Sequence, residues 1–271
     1  MKIKKEEILS PLKENGVNQK IILKKVKKEI KLDPEMLEKA TRLSIKTMMQ
    51  NFKGKTVEEF KDFCEKEMLK ENCNAAQIIT VEQADTDIWH DLRIGRITAS
   101  RLHEVSRCMS KTGSLVDKIM GKRGGFSFAM QRGTILEDYV FTELQKEYPN
   151  LKRCGLVLDP KYPFLGASPD GIADDFVLEI KCPANKNTHA DYIDVNKLSK
   201  KYFAQIQLQM LMTKKDKALL GVASIDFETT RNITQLWIPY DEEYVMDLIE
   251  ASLEFYNEAI FPQILRKYKK K

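Results

Sequence analysis

Asp170, Glu179 and Lys181 fall within one short stretch, in Ser168-Pro169-Asp170-Gly171 and Val177-Leu178-Glu179-Ile180-Lys181. Side chains alternate across a strand, so Val177, Glu179 and Lys181 share one face while Leu178, Ile180 and Cys182 share the other. Opposite charges two residues apart in an apolar strand are costly to bury unless they are paired or used. A turn at Ala173-Asp174-Asp175 would fold Asp170 back beside Glu179. Two carboxylates and an ammonium at one spot make a hard-cation site of the kind that suits magnesium or manganese. The lysine would orient or help deprotonate a water, and metal ions would stabilise charge on a phosphorus centre and its leaving oxygen. The bland alternative makes Pro169-Asp170-Gly171 an ordinary turn, with Glu179 and Lys181 as a surface ion pair. Taken alone, the turn tripeptide favours that alternative, whereas the whole pattern favours a site.

Other candidates stand further away. Glu137 lies in Arg132-Gly133-Thr134-Ile135-Leu136-Glu137. The Thr134-x-x-Glu137 spacing is that of a capping box, so Glu137 reads equally well as a helix cap or as a third carboxylate near the sheet end. Arg93 and Ser100 suit phosphate binding, Arg by its planar fork and Ser by a hydroxyl near a helix start. Their alternatives are a salt bridge for Arg93 and simple capping by Ser100 or Thr98. His90 and His103 read as structural or solvent-facing, because no third group is placed to orient either. Gln205 and Gln209 share a helix face with Lys201; they could serve a phosphate or a catalytic group, or line a solvated stripe.

The elements that must position these residues change character along the chain. Residues 1–85 read as helical. Ile22, Val26 and Ile30 give an amphipathic period over 20–31, Asp33-Pro34 marks a helix start, and Thr56-Val57-Glu58-Glu59 fits a capping box. The Lys24–Lys28 cluster is compatible with a solvated face, a nuclear signal or a DNA contact. Residues 73–87 read as a linker. Helices are then expected over 98–109, 135–148 and 196–213 and from Asp241. Between them lie β-like runs at 154–158, 164–167, 176–182, 218–225 and 233–239. Short β-like runs among helices argue for an α/β fold with a central mixed sheet flanked by helices.

The chain has 271 residues, with 45 Lys+Arg against 40 Asp+Glu, a net charge of +5. The last six residues carry five positive charges and the remainder is neutral, so the total reports a basic tail at 266–271 rather than nucleic-acid binding. The partition says more: residues 93–132 hold nine basic and two acidic side chains, and 133–265 hold 13 basic and 21 acidic. A basic segment before an acidic one suits phosphate holding followed by metal binding. The five cysteines show no zinc-type pairing and their number is odd, which points to an intracellular, reducing compartment. No apolar run approaches the ~18 residues of a membrane span. No secretory signal is expected from Met1-Lys2-Ile3-Lys4-Lys5.

Five segments in this order resemble one family. They are Trp89-His90-x-Leu92-Arg93-x-Gly95-x-Ile97-Thr98-Ala99-Ser100, Arg132-Gly133-x-x-x-Glu137, Ser168-Pro169-Asp170-Gly171, Glu179-Ile180-Lys181-Cys182-Pro183 and Ala204-Gln205-x-Gln207. Together they are similar to the YqaJ viral recombinase family of lambda-exonuclease-type enzymes, in the PD-(D/E)xK nuclease superfamily with its restriction-endonuclease-like core. The resemblance covers about 88–265 and implies a nuclease domain over 86–265 behind a helical N-terminal extension at 1–85. It implies Mg²⁺-dependent hydrolysis of DNA phosphodiesters, 5′→3′ from duplex DNA ends, with Mn²⁺ as a substitute. Asp170 and Glu179 would be the principal metal ligands, with Glu137 a further carboxylate and the Ile180 carbonyl an added ligand. Lys181 would activate water, and Arg93, Ser100 and Gln205 would hold the 5′-terminal phosphate. A single-strand annealing partner and a trimeric homo-oligomer follow from the family alone. An endonuclease or RNA-cleaving nuclease on the same core, or an inactive nucleic-acid-binding module, are the alternatives.

Overall fold

The computed structural model describes residues 34–71, 87–122 and 128–269. The amphipathic pattern at 20–31 with its lysine cluster, the Asp33 cap, and the linker except for Asp87 lie outside the described residues.

Pro34 occupies the first position of α1 (Pro34–Arg42), where a missing N–H costs nothing. Ser44 caps α2 (Ile45–Asn51) by accepting from the Thr47 N–H. The expected capping box opens α3 (Val57–Lys70): Thr56 accepts from the Glu59 N–H, and the Glu59 carboxylate accepts from the Thr56 N–H. These helices share one core with later segments of the chain. Leu43, Ile45, Met48, Phe60, Cys64 and Met68 are buried in one cluster with Leu92, Ile97, Tyr256, Phe261 and Ile264.

The next stretch is α4 (Asp87–Arg93), β1 (Ile97–Thr98), a 3-10 turn at Ala99–Arg101 and α5 (Leu102–Val105). This is shorter than the helix expected over 98–109. Ile97 and Thr98 pair in parallel with Leu165 and Gly166 of β2 (Leu165–Gly166), which keeps the backbone extended through Thr98. After α6 (Ser114–Ile119) comes α7 (Phe128–Glu147), a 20-residue helix. It starts seven residues before the expected position. Among the described residues, the buried run at 154–158 forms only one bridge, Val157 to Ala167.

The central sheet comprises β3 (Gly171–Ile172), β4 (Val177–Lys181), β5 (Lys217–Ala223) and β6 (Ile233–Pro239) in that spatial order. β3 and β4 are antiparallel, β4 and β5 parallel, β5 and β6 antiparallel. A parallel neighbour requires a crossover. It is supplied by α8 (Lys186–Tyr192) and α9 (Lys200–Thr213), the latter capped by Ser199. The chain finishes with α10 (Phe227–Thr230), α11 (Glu242–Phe255) capped by Asp241, a π turn at Tyr256–Ile260 and α12 (Phe261–Tyr268).

Alternation along β4 divides the core. Leu178 and Ile180 join Leu136, Val140, Phe141 and Leu144 of α7. Val177 joins Ile206 and Met210 of α9 with Ala218, Leu220 and Val222 of β5. Each of these side chains larger than alanine, fully buried, contributes about 1.5–3 kcal/mol. The two helices are thereby pressed against opposite faces of the strand that carries Glu179 and Lys181.

Candidate active site

The turn chemistry is placed one step further along than Pro169-Asp170-Gly171. The Ala173 N–H donates to the Phe176 carbonyl and closes the hairpin, while Gly171 is already a strand residue paired with Leu178. Glycine is required there by close approach: a Cβ would lie 2.9 Å from a ring carbon of Phe141 and 3.0 Å from a methyl of Leu151. α7 can therefore settle against the head of the hairpin.

That register brings Asp170 beside the strand as expected. The Asp170 N–H donates to the Leu178 carbonyl at 2.9 Å, and the Ile180 N–H donates to Asp170 Oδ2 at 2.6 Å. Glu179 is 3% exposed and held on both oxygens. Gln205 donates to Oε1 at 2.7 Å, and the fully buried Gln209 donates to Oε2 at 2.6 Å. Lys181 Nζ also donates to Oε1 and lies 4.8 Å from the ring centre of Tyr202, whose hydroxyl accepts from Tyr192 at 2.9 Å. The helix face bearing Gln205 and Gln209 is therefore turned toward Glu179, not toward solvent. Gln207 points elsewhere and ties α9 to the Pro239 carbonyl and the Asp241 N–H.

Glu137 does not begin a helix. It lies in the third turn of α7, so the capping-box reading does not hold. Its partner is Arg153, whose Nη1 donates to Glu137 Oε1 at 2.9 Å; the Nη2 end binds Asp138. Arg153 was not a sequence candidate. Its one sequence signal is a basic residue, beside Lys152, just ahead of the buried run at 154–158.

Charge is concentrated here. Burial pushes the Asp170 carboxyl well above its ordinary range, and Glu179 and Glu137 push it further. Burial also raises Glu137, with Asp138 and Glu179 adding to the rise and Arg153 opposing it. Burial works against the Lys181 ammonium, but Glu179 and Asp170 outweigh it, so Lys181 is raised and stays charged.

The donor set fits a hard divalent cation. It consists of carboxylate oxygens that repel one another. Among the described residues, Asp170 Oδ1 and Glu137 Oε2 accept no hydrogen bond. The three carboxylates feel one another's field but do not form a closed cage: among the described residues, no three His, Cys, Asp or Glu side chains converge tightly enough for that.

A second cluster carries Arg93 and Ser100. The Arg93 guanidinium lies 3.9 Å from the Trp89 ring centre and faces no carboxylate among the described residues. Burial, with help from Arg101, lowers its pKa to about 10. Nη2 reaches Thr98 Oγ1 at 3.5 Å, and Thr98 Oγ1 lies 3.5 Å from Ser100 Oγ. The 3-10 turn bearing Ser100 packs on α9, the helix that bears Gln205. In this structure Gln205 bonds Glu179 and not the Arg93 group. His90 stacks edgewise on Trp89, and His103 is lowered by burial, Arg107, Lys200 and Lys201. Among the described residues, no helix is long and apolar enough to cross a membrane.

Residues 88–216 match the YqaJ-like viral recombinase domain. An alkaline exonuclease, LHK-Exo, from Laribacter hongkongensis is similar in structure. At 27% identity the likeness covers 67% of this chain and 95% of that one, with a TM-score of 0.56. Its complex with dAMP matches at 27% identity over 67% of this chain and 97% of that one, with a TM-score of 0.58. No curated protein matches the chain.

Proposed function

We propose that the chain, whose residues 88–216 form a YqaJ-like domain, is a nuclease of the lambda-exonuclease type that digests duplex DNA from its ends, 5′→3′, with Mg²⁺. The observation that carries this reading is the β3–β4 register. It sets Asp170 against Ile180, and so beside Glu179 and Lys181, at the edge of a mixed sheet.

A bound divalent ion would supply Lewis-acid stabilisation of phosphoryl charge and a more acidic water. Asp170, Glu179 and the Ile180 carbonyl would hold it, with Glu137 as an additional donor. The protein's own contribution begins with Lys181. Against burial, Glu179 and Asp170 raise its pKa in the metal-free protein, and Nζ would there orient the attacking water and offset negative charge. Gln205 and Gln209 keep Glu179 from rotating. Arg93, Thr98 and Ser100 offer a cation and two hydroxyls to a 5′-terminal phosphate, and Gln205 would join them if it left Glu179. Arg93 remains charged at neutral pH despite its depressed pKa. A single-strand annealing protein and further copies of this chain are partners consistent with this role.

The test is digestion of 5′-labelled and 3′-labelled linear duplexes with Mg²⁺, Mn²⁺ or EDTA. Mononucleotide released first from the 5′ label, only with metal, is the expected result. Cutting of closed circular DNA or of RNA at a comparable rate would replace the exonuclease reading. No cutting in any metal would leave only binding.

A further inference from the structure

Three carboxylates and two cations are set out in a definite order around the β3–β4 hairpin. Lys181 binds Glu179 at one end and Arg153 binds Glu137 at the other. Asp170 lies between, with a main-chain N–H as its donor. Arg153 is held firmly in this place. Its neighbour Lys152 exchanges two main-chain bonds with Ile172, at 2.9 and 2.8 Å, so the Arg153 backbone runs beside the strand that Asp170 leads into. The guanidinium carbon lies 4.1 Å from the Phe141 ring centre, and the side chain is 16% exposed. Nη1 also approaches the Asp170 carbonyl at 3.5 Å. Glu137, Asp138 and Phe141 all belong to α7, so one guanidinium ties that helix to the hairpin.

A purely structural bridge would need only Asp138, which is the more exposed acid, at 50%. Arg153 instead divides its fork and engages Glu137 through Oε1, leaving Oε2 without a hydrogen bond among the described residues. A planar guanidinium fixes the plane of such a carboxylate in a way an ammonium does not. It also brings a positive charge to the carboxylates that are to hold a cation. The partners of a carboxylate ligand are donors, and a neutral donor orients the carboxylate without adding charge to the site. A cationic donor orients it and also repels the cation that the site is to hold.

We infer that Arg153 is a positioning residue that aims Glu137 into the site while weakening the site's hold on divalent ions. This rests on the metal-site reading above. Loss of the charge alone would tighten binding of the bare metal, and loss of the fork alone would slow turnover.

The experiment uses the full chain without DNA and follows Mn²⁺ binding by electron paramagnetic resonance. R153Q should bind Mn²⁺ about tenfold more tightly than the parent, in keeping with removal of a charge a few ångströms away. The gain should vanish in R153Q combined with E137Q. R153K keeps the charge and loses the fork. It should bind Mn²⁺ within about threefold of the parent, yet its kcat on duplex DNA at saturating Mn²⁺ should fall about tenfold with KM little changed. R153Q binding equal to or weaker than the parent's overturns the inference and leaves the metal site standing. Unchanged kcat in R153K overturns the positioning role even if R153Q does not fold. A parent that binds no Mn²⁺ sinks the metal-site reading, and this inference with it.

Discussion

Asp170 Oδ2 accepts the main-chain N–H of Ile180 at 2.6 Å, which fastens the first carboxylate to the strand bearing the second. An asparagine at 170 can keep that bond through its carbonyl while removing the charge. D170N should therefore fold, and hydrolysis should fall by about 100-fold or more. Its stability should show the opposite trend. Burial, Glu179 and Glu137 raise the Asp170 pKa above its unfolded value. Such a group contributes stability below the unfolded pKa and loses it as pH rises through the folded one. In EDTA, thermal melts from pH 5 to 8 should show the parent declining relative to D170N. A difference between the two midpoints that stays constant from pH 5 to 8 would contradict this.

Lys181 is raised, not lowered, because Glu179 and Asp170 outweigh the cost of burying it. It is therefore an ammonium in the metal-free protein. K181M should lose about 100-fold or more in rate and still bind duplex DNA within a few-fold of the parent. Single-turnover rates beside filter binding would check both, and a K181M rate within a few-fold of the parent would remove the lysine from the mechanism.

The β4 face assignment is legible from alternation alone, because a period of two has no competitor across Val177–Cys182. The hairpin is legible too, since Asp174-Asp175 is turn chemistry and the apolar strand demands a partner. Glu137 is legible only as a residue of interest. The Thr134-x-x-Glu137 spacing suggests a helix start, but α7 runs on from Phe128 straight through Gly133, where a Cβ would meet nothing within 4 Å. Packing of Leu136, Val140 and Leu144 on the sheet outweighs the roughly 1 kcal/mol that a helical glycine costs. The bond of Arg153 to Glu137 is not legible. It spans 16 residues and exists only because the Lys152–Ile172 bridge lays the Arg153 segment against the hairpin.

Arg93 lies against Trp89 with no carboxylate facing it among the described residues, so its charge is available to an anion. R93A should erase a preference for 5′-phosphorylated over 5′-hydroxyl duplex ends. A charge-assisted bond to phosphate is worth about 1.5–3 kcal/mol, so the preference in the parent should be about ten- to a hundredfold in kcat/KM. R93K should keep part of it, since the charge stays and the fork and the stacking are lost. Competition between the two duplexes in one tube measures the ratio directly. A parent indifferent to the 5′ group would show that the Arg93–Thr98–Ser100 cluster serves something else.

Arg96 is 1% exposed, and its guanidinium donates to three carbonyls from distant parts of the chain. Nη1 reaches Leu92 at 2.6 Å, Nη2 reaches Leu43 at 2.7 Å and Nε reaches Pro163 at 3.0 Å. The Leu43 carbonyl comes just after α1, the Leu92 carbonyl is in α4 and the Pro163 carbonyl precedes β2, so one side chain joins the early helices to the site-bearing half. Methionine fits the aliphatic stem but leaves the three acceptors unsatisfied. R96M should cost about 3–5 kcal/mol, the range for breaking a buried polar network. The loss should fall first on residues 40–68, whose apolar side chains share the cluster beneath Arg96. Hydrogen exchange should therefore rise there before it rises in β4 and β5, and chemical denaturation should give the total. Equal loss of protection across both regions would show one cooperative unit, and a cost under about 1 kcal/mol would show that the carbonyls find other donors.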